Sequence, residues 1–120
     1  MKTLLVVEDD ADIYQYYCIL LGDLELRLLR AATGKEGLAL VDSGEPIDLI
    51  LLDMVLPEMN GEEFFRALRQ QRCLPTPVVA CSVDERLLEP LRRIGPLQGT
   101  FIKGDPGGVL LALVRQQLEL

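Results

Sequence analysis

Two short acidic segments, each directly after a run of apolar residues, are the parts of this chain best suited to chemistry. Residues 49–52 lead into Asp53, and residues 4–7 lead into the acidic run 8–10. A continuous apolar run bounded by turn signals is typical of a strand buried on both faces in a parallel sheet. Each acidic segment should therefore stand at the carboxyl edge of the sheet, where ligands bind in open α/β proteins.

A metal would explain why acids occur at the ends of two buried strands. If the strands are parallel neighbours, Glu8, Asp9 and Asp53 converge at one edge. Carboxylates crowded together repel one another and are costly to desolvate without a partner. Mg²⁺ suits such a site, because it takes a few carboxylate oxygens and keeps several waters. A lone Asp after a strand is more often a turn or cap residue, so the magnesium interpretation depends on the convergence. Asp10 could also ligate the metal, but it is more plausibly the cap of the first helix.

The rest of the chain alternates between strand and helix patterns. The predicted strands lie at residues 4–7, 26–30, 49–53, 78–81 and 100–103, and the predicted helices are capped near residues 10, 33, 60, 84 and 105. Capping-box patterns are formed by Thr33 with Glu36, by Asn60 with Glu63 and by Ser82 with Glu85, and Asp105 before Pro106 is a further helix start. Five β-α units without a repeat or linker predict an α/β fold, a doubly wound five-stranded parallel sheet in one domain over residues 1–120.

Four motifs, in order, resemble the receiver domains of two-component response regulators. Residues 6–10 resemble the opening acidic motif of that family, and residues 52–61 resemble its phosphoacceptor motif, with Asp53 at the acceptor position. Ser82 matches the hydroxyl residue at the end of the fourth strand, and Lys103 matches the lysine at the end of the fifth. The resemblance covers essentially the whole chain and implies the flavodoxin-like (βα)5 receiver fold.

The same resemblance implies a function. Asp53 would accept a phosphoryl group from a phosphohistidine on a sensor histidine kinase or phosphotransfer protein. Mg²⁺ would be held by Glu8, Asp9, Asp53 and the backbone carbonyl of Val55. Ser82 and Lys103 would bond phosphoryl oxygens. Without the resemblance, Ser82 would be interpreted as a helix cap, a role it could also combine with phosphoryl binding, and Lys103 as a solvated charge at a strand end. The protein would then be a phosphoacceptor that assists its own phosphorylation and dephosphorylation, and not an enzyme with a separate substrate.

Three departures from the family pattern concern signalling. The usual aromatic three residues before Lys103 is replaced by Thr100, and the usual Pro after Lys103 is replaced by Gly104. Pro90 falls inside the predicted fourth helix, which it should shorten or kink, while Leu87, Leu88 and Leu91 are expected to face inward. The final helix, residues 109–118, has more apolar positions than one inward stripe needs. The face formed by the fourth helix, fifth strand and fifth helix is therefore predicted to bind a downstream protein or a second copy, without an aromatic switch.

Composition restricts the other classes of function. A net charge of −7 argues against a nucleic-acid surface, no apolar run is long enough to span a membrane, and nothing at the start resembles a signal peptide. The cysteines, odd in number, follow no metal-ligand spacing; Cys18 and Cys81 are predicted to be buried, reduced thiols of a cytoplasmic protein. The absence of histidine excludes a phosphohistidine carrier.

Three alternatives use a similar sequence pattern. A haloacid dehalogenase-type phosphatase needs a second acid two residues after its nucleophile, where this chain has Val55. A flavin-binding flavodoxin-like module needs a Ser/Thr-rich phosphate loop after the first strand, which is missing. A degenerate receiver that is not regulated by phosphorylation usually lacks one of the acids or the lysine.

Overall fold

The computed structural model describes all 120 residues, and its centre is a parallel sheet of five strands. The strands are β1 (Thr3–Val7), β2 (Arg27–Ala31), β3 (Leu49–Asp53), β4 (Val78–Ser82) and β5 (Gly99–Ile102). Their order in the sheet is β2-β1-β3-β4-β5, so the chain reverses its direction of winding between β1 and β3. This is the flavodoxin-like order, and it places a topological switch point at the carboxyl ends of β1 and β3. The predicted fold class is confirmed.

Helices cover both faces of the sheet. They are α1 (Ala11–Leu21), α2 (Gly34–Asp42), α3 (Gly61–Arg66), α4 (Leu91–Ile94) and α5 (Gly107–Leu118), and a wider π-type turn, Ala67–Gln71, extends α3. One core cluster joins the sheet to α2, α3 and α4, and the second joins it to α1 and α5. Strands β1 and β3 are buried along their whole length, as their unbroken apolar runs predict. No helix combines the length and the apolar character needed to cross a bilayer.

Local capping explains where several helices begin. The Asp10 carboxylate accepts hydrogen bonds from the backbone N–H groups of Asp12 and Ile13, so Asp10 caps α1. Asn60 and Glu63 form a reciprocal capping box at α3, as predicted. Thr33 caps α2, but the Glu36 carboxylate accepts from the N–H of Ala32 rather than from Thr33, so that box is incomplete.

The segment after β4 differs most from its sequence prediction. A regular helix was expected from Asp84, but the structure has a short 3₁₀ turn, Glu85–Leu87, and then only the four residues of α4. Pro90 precedes α4 as its N-cap residue, because proline has no N–H to donate and is tolerated only at the start of a helix. Leu88 and Leu91 are buried, but Leu87 is 41% exposed, so its predicted inward position was wrong.

The last helix also begins differently from the prediction. Asp105 does not cap it: α5 starts at Gly107 with Pro106 at the N-cap position and no side-chain cap. Lys103 and Asp105 instead form an isolated backbone β-bridge, and Asp105 lies one residue before the N-cap position. On α5, Val109 is 46% exposed, in agreement with the surplus of apolar positions in this helix.

Smaller differences concern two strands and one thiol. Strand β5 starts and ends one residue earlier than predicted, at Gly99 and Ile102. Strand β2 starts and ends one residue later than predicted, at Arg27 and Ala31. Cys81 is buried as expected, whereas Cys18 is only partly buried.

Candidate functional site

The switch point between β1 and β3 brings the sequence's acidic residues together. In the register of these strands Val7 pairs with Leu52, so Glu8 and Asp53 follow at the same edge. Carboxylate oxygens of Glu8, Asp9 and Asp53 all lie within 4.8 Å of one another. Glu8 and Asp53 are buried, at 1% and 6% exposure, whereas Asp9 is exposed.

Lys103 reaches this acidic cluster from the end of β5. Its backbone N–H donates to the carbonyl oxygen of Ser82 at 2.8 Å, which holds the lysine beside the end of β4. Its Nζ donates to Glu8 Oε1 at 3.0 Å and to Asp53 Oδ1 at 2.9 Å. Burial disfavours the ammonium, but the hydrogen bonds and charges of Asp53 and Glu8 outweigh burial, so the pKa of Lys103 is raised.

The electrostatics of the cluster favour a divalent cation. Burial and, secondly, the charge of Asp53 raise the pKa of Glu8 to about 7, although Lys103 acts in the opposite direction. One lysine thus offsets only part of the negative charge of these carboxylates. The donor set, oxygen atoms with net negative charge at a solvent-reachable edge, fits Mg²⁺.

Magnesium binding should therefore depend on pH. Because a metal ligand must be deprotonated, Mg²⁺ held by Glu8 would compete with the proton on this carboxylate, and the apparent affinity should then rise with pH through about 7. From pH 6 to pH 8 we expect a gain of about tenfold, measured by calorimetric titration with Mg²⁺. Glu8→Gln should bind more weakly and with little pH dependence. An affinity in the unsubstituted protein that stays constant over this range would contradict the prediction.

Ser82 ends β4 beside the acidic cluster, but it does not cap a helix. Its Oγ accepts a hydrogen bond from the N–H of Asp84 at 3.1 Å, and Asp84 itself caps the following turn. The predicted capping box with Glu85 is therefore not formed. Since a hydroxyl can accept and donate at once, the Ser82 O–H can still donate to a second partner.

The loop after Asp53 is held by backbone contacts. The N–H of Met54 donates to the Cys81 carbonyl at 3.1 Å, and the N–H of Gly61 donates to the Met54 carbonyl at 3.0 Å. A Cβ at Gly61 would lie 2.7 Å from Met54 Cα and 2.8 Å from the Asp53 carbonyl oxygen, so glycine is required there. Val55 lies in this loop, two residues after Asp53 in the sequence, and it is 61% exposed.

Comparison with known proteins agrees with this architecture. The profile of the response regulator receiver domain matches residues 4–92. The chain belongs to this family. It is 35% identical over 85 residues to the KDP operon transcriptional regulatory protein KdpE of Escherichia coli K12, and 37% identical over 87 residues to the transcriptional regulatory protein CiaR of Streptococcus pneumoniae. These alignments cover 71% and 72% of this chain but only 37% and 38% of the relatives.

Solved structures of receiver domains have the same fold. Chemotaxis protein CheY4 of Vibrio cholerae superposes with a TM-score of 0.84 at 27% identity, covering 97% of this chain and 98% of that one. The N-terminal domain of a response regulator/sensory box/GGDEF protein from Carboxydothermus hydrogenoformans gives 0.84 at 28% identity, with 98% and 94% covered. The chain is thus a receiver domain of the two-component response regulator type.

The departures from the receiver pattern have visible structural consequences. Thr100 is partly buried and takes the place of an aromatic residue, while the neighbouring Phe101 is buried in the core cluster on the other face, with α1 and α5. Gly104 has φ of +103°, a left-handed conformation that proline cannot adopt. The β5–α5 connection therefore follows a path that the usual proline would not allow.

Sequence reasoning missed Arg30, on β2. Its Nε donates to the Glu8 carbonyl at 3.3 Å, and its Nη2 donates to the Asp9 carbonyl at 3.1 Å. The cue in the sequence was weak: Arg30 is the last residue of the predicted strand 26–30, in a Leu-rich segment that alternates poorly. Only the pairing of β2 with β1 shows that this arginine adjoins the acidic segment.

Proposed function

We propose that this receiver domain accepts a phosphoryl group on Asp53 from a phosphohistidine of a sensor histidine kinase or phosphotransfer protein. The observation that carries the proposal is the buried Asp53 carboxylate, which lies within 4.8 Å of two other carboxylates and is bonded by Lys103. A buried aspartate at the carboxyl edge of the sheet, paired with a cation, is suited to nucleophilic attack on phosphorus. The chain spans 37% of the length of KdpE, and the proposal concerns the receiver domain alone.

The metal site belongs to the same proposal. Glu8, Asp9 and Asp53, with the backbone carbonyl of Val55, would hold Mg²⁺. When bound, Mg²⁺ would neutralise negative charge on the phosphoryl group and on the carboxylates. The nearby acids would otherwise repel an incoming phosphoryl group, so phosphoryl transfer should require the metal.

The residues of the chain perform the remaining steps. Lys103 donates to Asp53 Oδ1, which leaves the other carboxylate oxygen to attack the phosphorus. As the new P–O bond forms, the P–N bond to the donor histidine breaks, and its electron pair returns to the imidazole ring. Lys103 and the Ser82 hydroxyl then bond phosphoryl oxygens and hold the aspartyl phosphate. Hydrolysis by water returns Asp53 to its carboxylate.

Lys103→Ala, assayed with the phosphoryl mimic beryllofluoride, tests the proposal. In the unsubstituted protein beryllofluoride should bind only together with Mg²⁺. Lys103→Ala should leave Mg²⁺ affinity nearly unchanged or slightly raised, because the lysine is a competing cation and not a ligand. It should weaken the retention of beryllofluoride by about tenfold or more, as expected for the loss of a charge-assisted hydrogen bond. Fluorine NMR and calorimetry measure the two affinities separately.

Two results would count against this assignment. Beryllofluoride bound equally well without Mg²⁺ would contradict the metal requirement. Loss of the folded state in Lys103→Ala, seen by circular dichroism, would mean that the lysine is mainly structural. Lys2→Ala is a suitable control, because Lys2 is an exposed lysine just before β1, at the opposite end of the sheet from Asp53, and its side chain forms no ion pair.

The output surface is proposed to be the face formed by α4, β5 and α5, which would bind a downstream protein or a second copy. Beryllofluoride should shift amide resonances in residues 83–95 and in α5, since Ser82 adjoins the 3₁₀ turn and the short α4. With Thr100 in place of an aromatic, no side-chain flip is expected at β5. If only the acidic pocket responds, the domain is instead a receiver-like interaction module that phosphorylation does not regulate, which the departures at Thr100 and Gly104 would favour.

A further inference from the structure

We propose that Arg30 is a positioning residue that sets the geometry of the acidic segment Glu8–Asp9 for metal binding. This inference rests on the proposed function, because it concerns the same metal site. Arg30 touches none of the reacting groups. It acts on the backbone that carries two of the three carboxylates.

The contacts of Arg30 act on successive peptide units. Nε bonds the Glu8 carbonyl at 3.3 Å and Nη2 bonds the Asp9 carbonyl at 3.1 Å. The N–H of Glu8 donates to the Ala31 carbonyl at 3.0 Å, so the end of β2 holds this segment on both its donor and its acceptor side. The guanidinium carbon lies 5.2 Å from the centroid of the Tyr14 ring, which restricts the position of the arginine itself.

Asp9 depends on this support more than the other two acids do. Glu8 and Asp53 are buried and bonded by Lys103. The Asp9 carboxylate is exposed and forms no ion pair with any lysine or arginine. Its position is therefore set by its backbone, and Arg30 is the side chain that bonds that backbone carbonyl.

The chemistry requires arginine in particular. A planar guanidinium can direct two N–H groups at adjacent carbonyls, whereas the lysine ammonium is a single point charge on a flexible stem. If Arg30 acted only through its charge, it would weaken Mg²⁺ binding, because a cation close to a cation site repels the metal. Removing Arg30 would then tighten Mg²⁺ binding. Lysine at this position keeps the positive charge but not the planar pair of donors, and glutamine removes the charge as well. The two variants thus distinguish an effect of geometry from an effect of charge.

The test compares Arg30→Gln and Arg30→Lys, with Arg27→Gln as the matched control. Arg27 is an exposed arginine on the same strand, but it pairs with Glu45 at the opposite end of the strand from the acidic segment. Both Arg30 variants should bind Mg²⁺ about tenfold more weakly by calorimetry, as is typical when a group that orients a metal ligand is lost. Arg27→Gln should bind Mg²⁺ as the unsubstituted protein does. In metal-free protein, the amide resonances of Asp9 and Asp10 should move in both Arg30 variants and stay in place in the control.

The outcomes that overturn the inference are distinct. Arg30→Lys with unchanged Mg²⁺ affinity would show that the planar guanidinium is not needed to position the acidic segment, and tighter binding by Arg30→Gln would show that charge repulsion dominates. If the unsubstituted protein binds neither Mg²⁺ nor beryllofluoride, the proposed function fails. The metal-free amide spectra then still decide the role of Arg30, because unmoved Asp9 and Asp10 resonances would overturn it. Should Arg30→Gln not fold, Arg30→Lys provides the same comparison.

Discussion

Asp53→Asn should reduce phosphoryl incorporation from acetyl phosphate to below detection, a complete loss of the proposed chemistry. An amide is a poor nucleophile and carries no charge, so it can neither form the acyl phosphate nor contribute a carboxylate to the metal. The fold should survive, because asparagine keeps the size of the side chain and an oxygen that can accept from Lys103, and the repulsion between Asp53 and the buried Glu8 is removed. Intact-mass spectrometry in the presence of Mg²⁺ measures incorporation, and thermal unfolding without metal measures stability.

Asp105→Asn is the control for this experiment. Asp105 is an exposed acid two residues after Lys103, outside the cluster of three carboxylates, so its variant should be labelled normally. Labelling of Asp53→Asn at the level of the unsubstituted protein would show that another residue is the acceptor, and the assignment would have to be abandoned.

Arg69→Met should lower the free energy of unfolding by about 3 kcal/mol, because it removes a largely buried cation that donates three side-chain hydrogen bonds. Arg69 is 9% exposed, and burial lowers its pKa, yet no carboxylate pairs with it. Its guanidinium instead donates to the carbonyls of Pro96 and Leu74 at 3.0 and 2.7 Å and to Gln98 Oε1 at 3.2 Å. Methionine keeps most of the apolar stem but removes the donor from the partly buried carbonyls of Pro96 and Leu74, whereas Gln98 Oε1 keeps the N–H of Val78 as a donor.

Urea denaturation measures this effect, and Arg66→Met is its control. Arg66 is exposed on the same helical segment and bonds only Gln70, so its variant should change stability by less than about 0.5 kcal/mol. Arg69 adjoins Gln98 and the start of β4, at the opposite end of the sheet from Asp53, since Gln98 Oε1 also accepts from the N–H of Val78. Mg²⁺ affinity of folded Arg69→Met should therefore be unchanged. A loss of stability no larger than that of the control would mean that water satisfies the freed carbonyls.

The sequence alone predicted the strands that carry the site and the caps that start most helices. The apolar runs before Glu8 and Asp53 became β1 and β3, both fully buried, because an unbroken apolar run can only be accommodated between two covered faces. Asp10 and Asn60 cap their helices as expected, because a cap depends on residues three positions away in the chain. The convergence of the acidic residues was predicted on the condition that the two strands are parallel neighbours, and the pairing of β1 with β3 meets that condition.

Only the tertiary structure decided which side chains meet across the fold. Lys103 bonds Glu8 and Asp53, partners separated from it by 95 and 50 residues, and Arg30 bonds the acidic segment through the pairing of β2 with β1. The resemblance placed Lys103 at the site, but Arg30 was not predicted there, and neither were the burial of Arg69 without an acid, the outward position of Leu87 and the start of α5 after Asp105. The physical reason is the range of the interactions. Helix caps and apolar periods depend on neighbours within one or two turns of the chain. Ion pairs and buried donors depend on strand order, and the short length of α4 depends on the space left by packing.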